Sequence, residues 1–160
     1  MGGHDGLLYR FKRWMYPGDR PNPLARLLNR ISALQFAAGF LAPRNWVTLE
    51  VRGRRTGRLI SFPVVVADYG GERYLVAMLG DRANWVHNVR AAEGHAVLRH
   101  GRREPVRLEE VEPAARPAII RRYLALAPGA RPHIPVDRRA PLEDFARIAD
   151  RFPVFHVLPR

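Results

Sequence analysis

The chain has 160 residues, enough for one domain with a sizeable core, and 47% of them are hydrophobic, which excludes general disorder. It has no cysteine, so disulfides, thiolate metal sites and cysteine nucleophiles are excluded. The formal net charge is +12, and Lys12 is the only lysine, so almost all the positive charge is arginine.

Nucleic acid, an anionic membrane surface or an anionic small ligand would each suit such a charge. A plain compositional bias toward arginine is the fourth explanation, since the arginines are spread along the whole chain. A nucleic-acid module would show a zinc-finger pattern, an RNP-like strand or aromatics interleaved with basic residues. None is present, so no nucleic-acid partner is expected.

Residues 1–45 read as an N-terminal helical extension. Leu7, Leu8, Phe11, Trp14 and Met15 fit one face of a short helix, which Pro17, Pro21 and Pro23 interrupt. Residues 24–41 read as a second helix that ends before Pro43. Its apolar run, 31–42, is shorter than the about 20 residues of a membrane span. It also lies too far from the start for a simple signal peptide. A basic, aromatic, amphipathic segment of this kind lies on a membrane surface, or packs on its own domain or a partner subunit. The expected location is the cytoplasm, with peripheral contact at the inner membrane face as one of these readings.

From Trp46 the pattern becomes β. Strands are expected over 46–52 and 59–68, joined by Arg52-Gly-Arg-Arg-Thr-Gly-Arg58. This glycine-punctuated turn carries four arginines, Arg52, Arg54, Arg55 and Arg58. Their forked guanidinium groups suit phosphate or carboxylate, although a solvated hairpin tip would look the same. Pro63 implies an edge or a bulge, because proline cannot donate a ladder hydrogen bond. A third strand is expected over 73–78, a loop over 79–83, and a short helix over 84–92 with Asn84 as a candidate cap. A fourth strand follows over 95–100, then a second basic turn, Gly101-Arg-Arg-Glu104, and a fifth strand over 105–111. Helices over 114–127 and 142–151 flank a proline-rich connector, and a last strand covers 154–158.

The chain has no HExxH pair, no GxSxG elbow, and no Rossmann or Walker glycine pattern. Metal ligands are not expected. A reaction carried by a bound cofactor suits such a chain, because the protein then need only bind, orient and exclude water. No catalytic residue is certain. His133, in a proline-stiffened loop, and His87, between Trp85 and Asn88, are the candidates to protonate or orient a substrate.

In order, the features are Gly53-Arg-Arg-Thr-Gly57, Pro63, Ala77-Met-Leu-Gly80, Asn84-Trp-Val-His-Asn88 and Gly101-Arg-Arg-Glu104 with the Val106 strand. Together they resemble the deazaflavin-dependent nitroreductase family, small split-β-barrel oxidoreductases of which many use coenzyme F420. The resemblance runs from Trp46 to Val111 and continues more weakly through Phe155. It implies an α+β fold: a split β-barrel, FMN-binding-like, with flanking helices, forming a cofactor-binding domain over 46–160. It implies coenzyme F420 as cofactor, with FMN the second choice. By resemblance, Arg54, Arg55, Thr56, Gly57 and Arg58 face the cofactor's phosphate and glutamate tail. Phe62, Pro63, Ala77, Met78, Leu79 and Gly80 border its ring and sugar-like chain, and Trp85 and Asn88 shape the helix side.

The implied reaction is hydride transfer from reduced F420 to a quinone, enone or similar conjugated acceptor. The alternative is a non-catalytic member that binds a fatty acid or isoprenoid. The chain departs from the family's pattern in three places. Arginine stands at 55 where some members have lysine, and the loop after the third strand is short. Ala130-Arg-Pro-His-Ile-Pro-Val136 replaces the tyrosine-rich wall of the nitroimidazole-reducing members, so activation of nitro drugs is not implied. Either a monomer or a homodimer is compatible with the sequence.

Overall fold

The computed structural model describes residues 45–160. The two N-terminal helices expected from the sequence, and the membrane contact tied to them, lie outside the described residues. Alternating apolar and polar side chains build β1 (Trp46–Arg52) and β5 (Arg102–Glu110), and runs rich in apolar residues, β-branched ones among them, build β2 (Leu59–Tyr69), β3 (Glu72–Val76), β4 (His95–His100) and β6 (Val154–Pro159). Between β3 and β4 lies helix α1 (Asn84–Ala91), and between β5 and β6 lie α2 (Pro117–Leu126) and α3 (Leu142–Ala146). Among the described residues, no helix is long and apolar enough to cross a membrane.

The strands close into an antiparallel barrel in the order β1-β2-β3-β6-β5-β4. The closure is uneven at β2. Its first half, Leu59–Val65, pairs with β1, whereas only Val66–Tyr69 pair with β3. Pro63 sits in the half that has one sheet neighbour, where a missing N–H is tolerated. The strand is thus an edge for half its length, as Pro63 suggested.

Two cores result. Inside the barrel, Leu49, Leu75, Leu98, Val106 and Phe155 interdigitate, and α1 inserts Val86 and Val89 among them. Outside it, Ile119, Ile120 and Leu124 of α2 and Phe145 of α3 pack on Ala67, Val76 and Val154. Burying each such side chain is worth about 1.5–3 kcal/mol against solvent exposure. Antiparallel pairing brings the end of β1, the start of β2, the end of β3 and the start of β4 to one end of the barrel. The hairpin 53–58, the loop 77–83 and α1 therefore gather there. Toward the other end, Arg73 of β3 and Glu104 of β5 form a bidentate pair at 2.9 and 2.6 Å. The Arg73 guanidinium holds the Glu104 carboxyl below its ordinary range.

Four expectations change, the first being that the helix expected over 142–151 is only Leu142–Ala146, followed by a separate 3-10 turn at Ala149–Arg151. The second basic turn, 101–104, is almost entirely strand: Gly101 alone turns the chain at φ +80°, with His100 opposite Arg102 and Arg99 opposite Arg103. β3 stops at Val76 rather than Met78, because the Ala77 N–H donates to Pro153 O and the Gly80 N–H turns back to Ala77 O. Asn84 is the first residue of α1 rather than its cap, which is Ala83.

Helix α1 ends in a Schellman turn. The Gly94 N–H donates to Val89 O and the Glu93 N–H to Arg90 O, with Glu93 left-handed at φ +55°. A glutamate there strains its Cβ against the backbone, which glycine would not. Glu93→Gly is therefore expected to stabilise the domain by about 0.5–1 kcal/mol. Chemical denaturation checks this through a higher midpoint at unchanged slope.

Candidate functional site

The hairpin tip is folded by its own backbone. The Gly53 N–H donates to Arg58 O at 2.8 Å, the Gly57 N–H to Gly53 O at 2.9 Å, and Arg52 Nη1 to Gly57 O at 3.0 Å. Gly57 takes φ +70°, a conformation glycine adopts without strain. Arg54, Arg55, Thr56, Gly57 and Arg58 are all exposed. Among the described residues, none of the four arginines of this hairpin is ion-paired with a carboxylate. Elsewhere among the described residues the arginines are mixed: Arg73, Arg90, Arg99, Arg103, Arg116, Arg122 and Arg147 each meet an aspartate or glutamate, whereas Arg82, Arg102, Arg107 and Arg121, among others, do not; the hairpin differs in holding four unpaired arginines within seven residues. The hairpin tip is a concentration of uncompensated positive charge, suited to an anion.

Asn88 fastens this tip to the barrel. It is buried on α1, and its Oδ1 accepts from the Arg54 backbone N–H at 3.0 Å and from Arg54 Nη1 at 2.9 Å. The backbone bond sets the path of the tip, and the side-chain bond sets the direction of one guanidinium. One helical turn earlier, Trp85 lies beside Asn88 on the same flank of α1 (i, i+3). Its ring contacts Phe62 of β2 at 6.2 Å between centroids and Phe155 of β6 at 5.5 Å, both tilted. Phe62 and Trp85 are only partly buried, so the row presents an apolar, aromatic surface at the end of the barrel.

The loop after β3 completes this end. Ala77 is buried and Met78 packs on the outer core, while Leu79 is exposed. Gly80 turns the chain at φ +82°, and a Cβ there would lie 3.1 Å from Arg151 O. The Ala83 N–H then donates to Gly80 O at 3.2 Å, leading into α1.

The structure thus brings Arg54, Asn88, Trp85 and Phe62 into one connected set, and Arg55, Thr56, Gly57 and Arg58 extend from it. Pro63 behaves differently from Phe62. It faces Thr48 on β1, on the opposite side of the strand from the inward Phe62. His87 is half-buried on α1. His133 belongs to the outer layer: its neighbours Ala130 and Ile134 sit in the outer core with α2, away from the core that holds Trp85. An open basin of about 570 Å³ borders this segment, lined by Arg131, Ile134 and Arg138 among others. Sequence reasoning missed Phe155 as a partner of Trp85; the apolar alternation of β6 marked it only as core.

Chemically, this end of the barrel offers guanidinium groups for an anionic tail next to an aromatic surface for a flat, largely apolar group. A cofactor with a planar ring and an acidic tail fits that donor set.

Residues 33–142, more than half of the 160-residue chain, match the family described as F420H(2)-dependent quinone reductase. Among solved structures the chain is similar to an F420-H2 dependent reductase (FDR-A), with 24% identity, a TM-score of 0.45, and coverage of 71% of this chain and 94% of that one. It is similar to a protein described as a domain-swapped dimer, with 21% identity, a TM-score of 0.48, and coverage of 84% and 96%. A protein of unknown function from Agrobacterium tumefaciens str. C58 has a TM-score of 0.51 at 14% identity, over 81% of this chain and 54% of that one, a likeness of fold alone. No curated protein matches.

Proposed function

The chain belongs to the F420H(2)-dependent quinone reductase family, an oxidoreductase family with coenzyme F420 as cofactor, and from that premise we propose that it reduces a quinone, an enone or a similar conjugated acceptor. Bound, the reduced deazaflavin supplies a hydride, and water supplies the acceptor's second proton. The chain's own work is to bind, orient and exclude water.

In this reading Arg54, Arg55 and Arg58 hold the phosphate and glutamate tail through charge-assisted bonds, with Thr56 and Gly57 shaping the approach. Phe62, Leu79, Gly80 and Trp85 border the ring and its sugar-like chain, with Ala77 and Met78 supporting the loop from the cores and Pro63 behind them on the other face of β2. Asn88 fixes the hairpin against the helix. The observation that carries the reading is the cluster of uncompensated arginines, fastened by Asn88 next to the Phe62–Trp85–Phe155 row. An aromatic row suits a flat conjugated acceptor lying against a flat ring. The reaction then requires no dedicated acid or base, and neither His87 nor His133 is given a step. We place the protein in the cytoplasm as a monomer or homodimer. No observation favours the alternative of a non-catalytic binder of fatty acid or isoprenoid.

The test has two parts. Purified protein is titrated with F420 while cofactor fluorescence is followed, and quenching is expected by concentrations on the order of tens of micromolar. Reduced F420 is then mixed with protein and menadione, and the oxidised cofactor's absorbance should return faster than without protein. Absence of quenching would end the reading. Quenching without turnover of any quinone or enone would end its acceptor half.

A further inference from the structure

We propose that Glu110 and Arg116 are positioning residues that hold the loop 77–83 in place, and through it the orientation of the cofactor ring. The inference rests on the functional reading above, in which that loop borders the ring.

Three contacts tether the loop, and all three lead to the same two residues. At its start, the Ala77 N–H donates to Pro153 O at 2.9 Å. In its middle, Gly80 packs so closely on Arg151 O that a Cβ would lie 3.1 Å from it. At its end, Asp81 Oδ1 accepts from Arg90 Nη2 at 2.9 Å. The first two contacts depend on the turn 149–153. Arg116 holds that turn: its Nη1 donates to Ala149 O at 3.0 Å and to Phe152 O at 3.4 Å, while its Nε donates to Val111 O at 2.7 Å. The third contact depends on Arg90, which Glu110 grips through Nε and Nη2, each at 2.9 Å. Glu110 Oε2 also accepts from Arg116 Nη2 at 3.3 Å, which joins the two branches.

Arg116 is nearly fully buried, and its donors are spent on three carbonyls and one carboxylate. A buried guanidinium with partners on four sides has little freedom to shift. The ends of the loop are also packed, Ala77 and Ala83 in the inner core and Met78 on the outer one, but Leu79, Asp81 and Arg82 between them are exposed. That exposed middle is therefore steadied by the Arg116–Glu110–Arg90–Asp81 chain. Neither Glu110 nor Arg116 touches the Arg54–Asn88 clamp, and α1, which carries both Arg90 and Asn88, is also held in the barrel by Val86 and Val89, so weakening Glu110 loosens the loop before it moves the clamp.

That difference makes the test specific. Glu110→Gln keeps the shape and weakens both branches, and Asp81→Asn weakens the loop's end alone. Amide hydrogen exchange on the cofactor-free protein is expected to quicken about fivefold at Ala77, Gly80 and Ala83 in E110Q, and at Gly80 and Ala83 in D81N. Amides of β4 should keep their rates. With F420 bound, kcat should fall several-fold in E110Q while the Kd for F420 stays within about threefold, because the tail contacts are untouched. Unchanged loop exchange in both variants would overturn the proposal. So would a uniform rise across all amides, which marks a general loss of stability, or a fall in F420 affinity without a fall in kcat. If the wild-type protein binds no F420, the functional reading fails on its own, and the exchange data still decide whether the network holds the loop.

Discussion

Replacing Arg54 and Arg55 together by alanine is expected to weaken F420 binding about 100-fold while leaving the fold intact. Charge-assisted hydrogen bonds contribute about 1.5–3 kcal/mol each, and exposure brings the figure to the low end of that range. Two such losses amount to about 3 kcal/mol, or about two tenfold steps in Kd. The fold should survive because the bond from the Arg54 backbone N–H to Asn88 Oδ1 does not need the arginine side chain. The hairpin's own bonds, from Gly53 to Arg58 and from Gly57 to Gly53, are also backbone bonds. Thermal unfolding should therefore be close to wild type. A double change to lysine should fall between the two, since it keeps the charge and loses the fork. Wild-type affinity should decline with salt more steeply than that of the alanine variant, as exposed charges are screened. If the alanine variant binds F420 as wild type does, the tail is held elsewhere and the hairpin is only a solvated turn.

The strands were legible because alternation with period two is a local property: β1 alternates apolar Val47, Leu49 and Val51 with polar Thr48, Glu50 and Arg52, and β5 alternates buried Val106 and Leu108 with exposed neighbours. The arginine turn was legible because glycines and arginines occur together between two such runs. The division of arginines into paired and unpaired was not legible. Arg73 and Glu104 are 31 residues apart, and Arg99 and Glu50 are 49 apart; only the barrel's closure joins them. The same limit explains the second basic turn. Arg102, Arg103 and Glu104 look like a polar loop, yet each continues a strand whose outward side chains carry charge. It explains Arg116 too, which the sequence places inside the expected helix 114–127 as one arginine among many. The position of Asn88 was expected from family resemblance, but its grip on the Arg54 backbone depends on how α1 lies across the barrel's end.

How α1 lies is governed by the turn that ends it, and Gly94→Ala is expected to cost about 3–4 kcal/mol of stability. Gly94 has φ +84°, where an L side chain adds about 1–2 kcal/mol of strain. The larger part is steric. An alanine Cβ would sit 2.4 Å from Leu108 O and 3.3 Å from Leu108 C and N. Those are backbone atoms of β5 and have no rotamer to yield. To relieve the overlap, the turn and β5 must part, which strains the Leu108 N–H bond to Gly94 O, now 2.7 Å. For a domain of this size the midpoint of thermal unfolding should fall by about 10 °C. Glu93→Gly, one residue earlier, has the opposite expected sign, so the pair tests the local geometry rather than general sensitivity of the turn. The damage should also reach function in the protein that remains folded. α1 carries Val86 and Val89 into the barrel and Asn88 to the hairpin, so moving its end displaces the Arg54 clamp. F420 titration well below the unfolding midpoint should show weakened binding in Gly94→Ala and unchanged binding in Glu93→Gly. A Gly94→Ala protein with wild-type stability would mean that β5 can step aside freely, and that the position of α1 is set by its apolar face rather than by its cap.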